Sequence, residues 1–339
     1  MKLIDTRDAV GHVLCHDLTQ IIPGVTKDAR FRKGHIVAEE DIPVLLSMGK
    51  EHLYVWEMQE GMLHENDGAA RLLALCGGEN MRPTEVKEGK IELIAGCDGC
   101  FTVDGARLFA VNMCDEVMIA TRKGGTAVKK GDKLAGMRVI PLVIAEEKLK
   151  AAERAAGSEP LLHLTPWKLK TAGLIVTGGE VYRGRIEDSF GPVVEERLAS
   201  YGVSVVRRAL CDDDTEMIAS AIAEMRQAGA DMVVCTGGMS VDPDDRTPGA
   251  IKRSGARIVS YGAPVLPGAM LLLGYYDDGT PVLGLPGCVM YAKATVFDLV
   301  LPRVIAGIEL KKEDLAQYGE GGLCLGCGEC RYPVCPFGK

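Results

Sequence analysis

From about residue 170 onward, short apolar runs alternate with amphipathic stretches, and three of those runs end in glycine turns. Gly173-Leu174-Ile175-Val176 leads into Thr177-Gly178-Gly179-Glu180. Asp231-Met232-Val233-Val234-Cys235 leads into Thr236-Gly237-Gly238-Met239-Ser240, and Pro281-Val282-Leu283-Gly284 into Leu285-Pro286-Gly287-Cys288. Between them, Val193, Val194, Leu198 and Tyr201 mark a helical face, followed by a strand over 203–206. Asp213 with Glu216 forms a capping box that opens a helix carrying Ile218, Ile222 and Met225 on one side, closed by Gly229. A helix through Ile251, a strand over 257–260 and a hairpin turning at Asp277-Asp278-Gly279 come next. An apolar helix over 289–304 ends the series, with Pro302 expected to kink or stop it. This alternation predicts an α/β domain with a mostly parallel sheet covered on both faces.

The first half has a different rhythm. Residues 1–60 predict a small α/β module: Asp41 caps a short helix through Leu45, Leu46 and Met48, Gly49 ends it, and His52-Leu53-Tyr54-Val55-Trp56 continues as a strand. Residues 61–157 predict a strand-rich α+β module. A helix over 67–76 stops at Gly77-Gly78, strands follow over 90–95, 116–121 and 138–144, and turns fall at Asp98-Gly99 and Gly124-Gly125. Residues 146–156, rich in Ala, Lys and Glu, predict a solvated linker helix. Gly157-Ser158-Glu159-Pro160 marks the boundary before a domain over 158–310, leaving a cysteine-rich tail over 311–339.

Composition narrows the function. A chain of 339 residues with 47% hydrophobic and 25% charged positions can fill two or three cores. A net charge of −8 without a Lys/Arg stripe argues against a nucleic-acid partner. No apolar run reaches bilayer length, and Met1-Lys2-Leu3-Ile4-Asp5 meets charge before a secretory segment forms. The expectation is a cytoplasmic protein without a membrane partner. The six histidines do not cluster, and Cys97-x-x-Cys100 reads as two thiols beside a turn.

Glycines after parallel strands let backbone N–H groups approach an anion, so three such turns point to one phosphate-bearing ligand. The second turn runs into Asp242, Asp244 and Asp245, and the first into Glu187-Asp188-Ser189. Carboxylates beside a phosphate repel it unless a divalent cation intervenes, which implies Mg²⁺. Arg183, Arg185, Arg246 and Lys293 are candidate anion partners.

These strings resemble the molybdopterin-binding domain shared by the MoeA and MogA families. Gly237-Gly238-x-Ser240-Val241-x-x-x-Asp245 and Leu285-Pro286-Gly287 carry most of the resemblance, which covers about residues 170–306. It implies a three-layer α/β domain binding molybdopterin or its adenylylated form, with molybdate insertion or adenylyl transfer as its chemistry. About 150 residues precede the domain, an order similar to MoeA, and Gly34-His35-Ile36 through Val55 looks similar to a module found alongside such domains. The resemblance implies Asp245 as a Mg²⁺- or molybdate-proximal acid, with Asp188 second and Asp242 as a further metal ligand. The pterin phosphate would lie on Thr177, Gly178, Gly179, Glu180, Ser189, Thr236, Gly237, Gly238, Ser240, Pro286 and Gly287. A homo-oligomer and a client molybdoenzyme are implied as well. Three departures stand out. Gly179 replaces an acid of the family's first turn, Val265-Leu266-Pro267-Gly268-Ala269-Met270 replaces a segment bearing two lysines, and Cys288 replaces an Asn. Losing two cations weakens any stabilisation of a transferring oxyanion. A non-catalytic pterin carrier or sensor is therefore the alternative to MoeA-like insertion. Nucleotide hydrolysis, as in CinA-type proteins with a related domain, fits less well, because that domain usually lies N-terminal there.

Of twelve cysteines, four fall in the last sixteen residues, as Cys324-x-x-Cys327-x-x-Cys330-x4-Cys335-Pro336. This run resembles that of bacterial ferredoxins with one extra residue, and its thiolates suit a [4Fe–4S] cluster or Zn²⁺. Glycines 319, 321 and 322 suggest a flexible tether that keeps the tail apart from the pterin site.

Overall fold

In the computed structural model, residues 2–22, 26–55, 60–240, 242 and 245–339 are described. Trp56, Val241, Pro243 and Asp244 lie outside the described residues. The chain divides into two units, one of Met1–Gly96, Val103–Arg122 and Lys130–His163, the other of Cys97–Thr102, Lys123–Lys129 and Leu164–Lys339.

In the first unit, Lys2–Asp5 pairs antiparallel with His52–Val55, and Leu18–Ile22 with Thr26–Phe31. Leu14, Leu18, Phe31, Leu45 and Leu53 fill a small core there. Asp41 sits inside the first turn of the helix Asp41–Ser47. Its carboxylate accepts from the Ala38 N–H and contacts His35 at 2.6 Å. Further along, Met81–Pro83, Lys90–Ala95, Lys133–Val139 and Val117–Thr121 form an antiparallel sheet in that order. The expected strand over 138–144 is instead the end of one strand and the separate Val143–Ala145, and the helix Gly105–Asn112, capped by Asp104, is an element the pattern did not predict. Helix Glu146–Ala156 is not fully solvated: Leu149, Ala152 and Ala156 are buried, and Arg71 binds Glu153 bidentately at 2.6 and 2.7 Å.

His64 caps helix Glu65–Cys76. Its Nδ1 accepts from the Asn66 N–H at 3.1 Å and its Nε2 donates to the Cys15 carbonyl at 2.6 Å. Burial pushes the pKa of His64, and that of nearby His16, below the ordinary 6.5. The unfolded chain therefore takes up protons that the folded chain resists. Stability from these groups is complete above the ordinary pKa and is lost as pH falls through it towards the depressed folded values. The denaturation midpoint is expected to stay flat above pH ~6.5 and to drop below it. Chemical denaturation across that range, repeated with His64→Gln, checks this; a variant with the same acid sensitivity would refute the assignment.

The second unit is built around a six-stranded sheet. Its strands are β1 (Thr171–Thr177), β2 (Ser204–Cys211), β3 (Met232–Thr236), β4 (Arg257–Tyr261), β5 (Leu272–Tyr275) and β6 (Pro281–Leu285). Their order is β2-β1-β3-β6-β5-β4, parallel through the first four and antiparallel at β5 and β4. Successive side chains of a strand point to opposite faces. Leu174, Val176, Met232 and Val234 thus meet α1 (Phe190–Ala199) on one face. Ile175, Val233 and Cys235 meet α2 (Thr215–Gln227) and α3 (Thr247–Arg253) on the other. α4 (Val296–Ile305) completes the first layer, giving three layers. The cap of α2 lies one residue beyond the expected box: Asp214 accepts from the Met217 N–H at 2.7 Å. Cys211 and Cys100 are buried, and burial pushes their thiols up to about 11 and about 12 respectively, so both are packed hydrophobes.

The apolar stretch over 289–304 is not one helix. A 3₁₀ turn, Gly287–Met290, comes first, and α4 starts only at Val296 under a capping box of Thr295 and Asp298. Pro302 does not stop α4, which runs on to Ile305. Proline has no N–H for the Asp298 carbonyl four residues earlier. The Tyr332 hydroxyl donates to that carbonyl at 3.0 Å.

Tyr332 belongs to the cysteine tail, which is docked and not tethered loosely. Leu266 donates to the Gly322 carbonyl and Cys324 to the Leu266 carbonyl, both at 2.8 Å, and Phe337 lies in the main core. Gly322 is small because the Tyr318 and Pro264 carbonyls occupy the space of a Cβ.

Candidate functional site

The register of the parallel strands brings the glycine turns together. Thr236 at the end of β3 pairs with Val176 of β1 on one side and Leu285 of β6 on the other. The strand order switches direction here, since β1 connects to β2 on one flank and β3 lies on the other. Open α/β sheets bind ligands at such switch points, outside the carboxyl ends of the strands.

A cleft of about 510 Å³ opens at this edge. Gly237, Gly238, Ser240 and Asp245 line it from the β3 turn, Pro286, Gly287 and Cys288 from the β6 turn, and Gly268 to Met270 from the loop before β5. Gly237 and Gly238 have φ of +85° and +53°. A Cβ on Gly237 would collide with the Thr177 carbonyl and come within 2.8 Å of its hydroxyl. Thr177 is thus a buttress: its hydroxyl also donates to the Thr236 carbonyl and meets the Thr247 hydroxyl, each at 3.1 Å. Met239 points inward, and its thioether fills the space that a Cβ on Gly284 of β6 would need.

The first turn takes a different role from the other two. Gly178, Gly179 and Glu180 do not line the cleft. The Gly179 N–H donates to Asp213 at 2.8 Å, and Arg183 pairs with Asp212 at 2.9 Å, tying this turn to the end of β2. Asp188 is committed to structure: it accepts from the Phe190 and Gly191 N–H groups at 2.7 and 3.0 Å, capping α1, and pairs with Arg208. Ser189 touches the cleft wall through the Met290 sulfur at 3.1 Å. Asp242 is exposed, its carbonyl accepts from the Asp245 N–H at 3.0 Å, and it is not a lining residue. Among the described residues, no group of three or more His, Cys, Asp or Glu is arranged to hold a metal ion.

None of the expected cations lines the cleft. Arg185 and Arg246 do not border it, and Lys293 borders a separate cavity. Asp245 is the one carboxylate among the described lining residues, and no Lys or Arg is among them.

Several residues escape sequence reasoning. Tyr261 at the end of β4 donates to the Met239 carbonyl at 2.9 Å and pins the β3 turn. Tyr291, exposed at 75%, stands at the lip. Arg197 of α1 pairs with Asp298 at 3.1 Å and donates to the Ala292 carbonyl at 2.6 Å, fixing the segment that carries Met290 and Tyr291. An exposed aromatic in an apolar run was the one available sign, for Tyr291; the other two act across long sequence separations.

Residues 173–306 match the family model described as Probable molybdopterin binding domain, and residues 3–57 one described as a domain of unknown function. A CinA-like protein of Mycobacterium leprae is 35% identical over 82 residues, 24% of this chain and 19% of that protein. Another, of Mycobacterium avium, is 33% identical over 94 residues, 28% of this chain and 22% of that one. The chain thus spans about a fifth of the length of the curated relatives it matches. The solved structure of the molybdopterin biosynthesis enzyme MoaB from Thermus thermophilus aligns with 22% identity and a TM-score of 0.35, covering 43% of this chain and 98% of that one. No described helix is long and apolar enough to cross a membrane.

Proposed function

We propose, on the premise that residues 173–306 are a member of the molybdopterin-binding domain family, that this protein holds a phosphorylated pterin through Mg²⁺ and does not itself transfer molybdate. The observation that carries this reading is the cleft lining: two glycine turns and Ser240 offer backbone and hydroxyl groups, and Asp245 is the one described charge. A phosphate next to that carboxylate needs a bridging divalent cation. A cleft of about 510 Å³ suits a ligand of pterin size. Tyr291, an exposed ring at the lip, offers a face for the heterocycle. The same lining disfavours chemistry, because stabilising a transferring oxyanion calls for preorganised positive charge. In this reading the protein works in the cytoplasm as a homo-oligomer and passes its pterin to a client molybdoenzyme. MoeA-like insertion is the second reading, supported by Asp245 at the edge of the cleft.

Calorimetry with molybdopterin and with its adenylylated form tests both. Binding is expected with Mg²⁺ and lost on chelation. Asp245→Asn should weaken it by tenfold or more, about 1.4 kcal/mol, without lowering thermal stability. Unchanged affinity in that variant would remove the metal bridge. Molybdate-dependent turnover by the purified chain would replace the holding role with insertion.

A further inference from the structure

The four clustered cysteines surround one cavity. Cys324, Cys327, Cys330 and Cys335 all line a pocket of about 290 Å³ in the docked tail. We propose that this cavity is a binding site for a [4Fe–4S] cluster held by these four thiolates.

The scaffold is built and ordered. Tyr332 reaches the Asp298 carbonyl of α4, Phe337 is 4% exposed in the core, and the two rings meet edge to face at 6.1 Å. Gly338 packs where a Cβ would strike Leu299. The loops carrying the cysteines are therefore held around a common space. Exposed thiols with no ligand would be oxidation liabilities, and Cys327 and Cys330 are both exposed.

Size favours a polynuclear core over a single ion. With Zn–S bonds of about 2.3 Å, a tetrahedral zinc holds its sulfurs roughly 4 Å apart. The four thiols instead share a cavity of about 290 Å³, with room for several metal ions. Charge agrees: four thiolates make the loaded centre anionic, and Lys293 and Arg331 line the same wall. Leu323, Leu325 and Pro336 add apolar groups to the lining.

The site stands independently of the pterin reading, although the two cavities adjoin. Pro267 and Ala292 border the cysteine cavity, and their chain neighbours Gly268 and Tyr291 border the glycine cleft. Loading requires no change of oxidation state. From a preformed cluster bearing small thiolate ligands, each cysteine sulfur replaces one thiolate at iron, and its proton passes to the departing thiolate.

The test uses the full chain without oxygen, mixed with such a preformed cluster and then desalted. Four iron and four sulfide per chain are expected, with charge-transfer absorption in the visible and a paramagnetic signal after reduction. Cys327→Ser and Cys330→Ser, at exposed positions, should lose the bound iron while keeping wild-type circular dichroism. Cys97→Ser should retain it. Alkylation followed by mass spectrometry needs no variant: loading should protect the four tail cysteines and leave Cys97 reactive. Failure to retain iron, equal retention in the tail variants, or uptake of one zinc per chain in place of the cluster would each overturn the proposal.

Discussion

Arg197→Ala is expected to destabilise the second unit by about 3–5 kcal/mol, because it strands a buried carboxylate. The two side chains are 15% and 14% exposed and lie 3.1 Å apart. Burial pushes the Asp298 carboxyl upward, and the Arg197 guanidinium is the main opposing influence. Without it, Asp298 either ionises unpaired or takes up a proton, and both cost stability. The loss reaches further than one ion pair. Arg197 also donates to the Ala292 carbonyl, and Asp298 accepts from the Thr295 N–H at 2.7 Å to cap α4. The wall bearing Met290 and Tyr291 should therefore loosen, and pterin affinity should fall with stability. A thermal midpoint lowered by roughly 10 °C is the expected reading. Adding Asp298→Asn should restore part of it, since the unpaired charge is then gone. A drop below about 1 kcal/mol would mean that the pair is not the lock described.

Gly237→Ala should cost about 3 kcal/mol and abolish pterin binding. The residue has φ +85°, and its Cβ would collide with the Thr177 carbonyl at the β1–β3 junction. A left-handed conformation costs a residue with a Cβ about 1–2 kcal/mol, and overpacking adds about 1–3. Gly287→Ala is the matched control. Nothing lies within 4 Å of its Cβ position, so stability should hold, while the added methyl sits at the cleft lining. Denaturant unfolding and pterin calorimetry on both variants separate turn geometry from ligand space. Equal stability of the two would contradict the assigned role of Gly237.

Much of the second unit was legible along the chain. The run 232–235 is apolar at every position because a parallel strand between two helical layers is buried on both faces. The buried stripe of Ile218, Ile222 and Met225 follows the helical period, so α2 was legible too, within one residue at its cap. The apolar residues after Gly287 misled. Periodicity cannot distinguish a buried helix from a packed irregular segment, and the segment over 291–295 is held by Arg197, a partner about a hundred residues away. The tail misled for a similar reason. Glycine reads as flexibility, yet Gly322 and Gly338 are small because other groups press against them.

By itself, the sequence determined the α/β layering of the second unit and the placing of glycines at the ends of β1, β3 and β6, because burial period and turn chemistry are local properties. Only the tertiary structure decided which of those turns line the cleft. It turned Thr177 and Asp188 into supports, left Asp245 as the described charge at the cleft, and gathered four cysteines around one cavity. Those outcomes depend on strand register and on long-range hydrogen bonds such as Tyr332 to Asp298, and a linear pattern of residue types does not encode which distant group will satisfy a buried carbonyl.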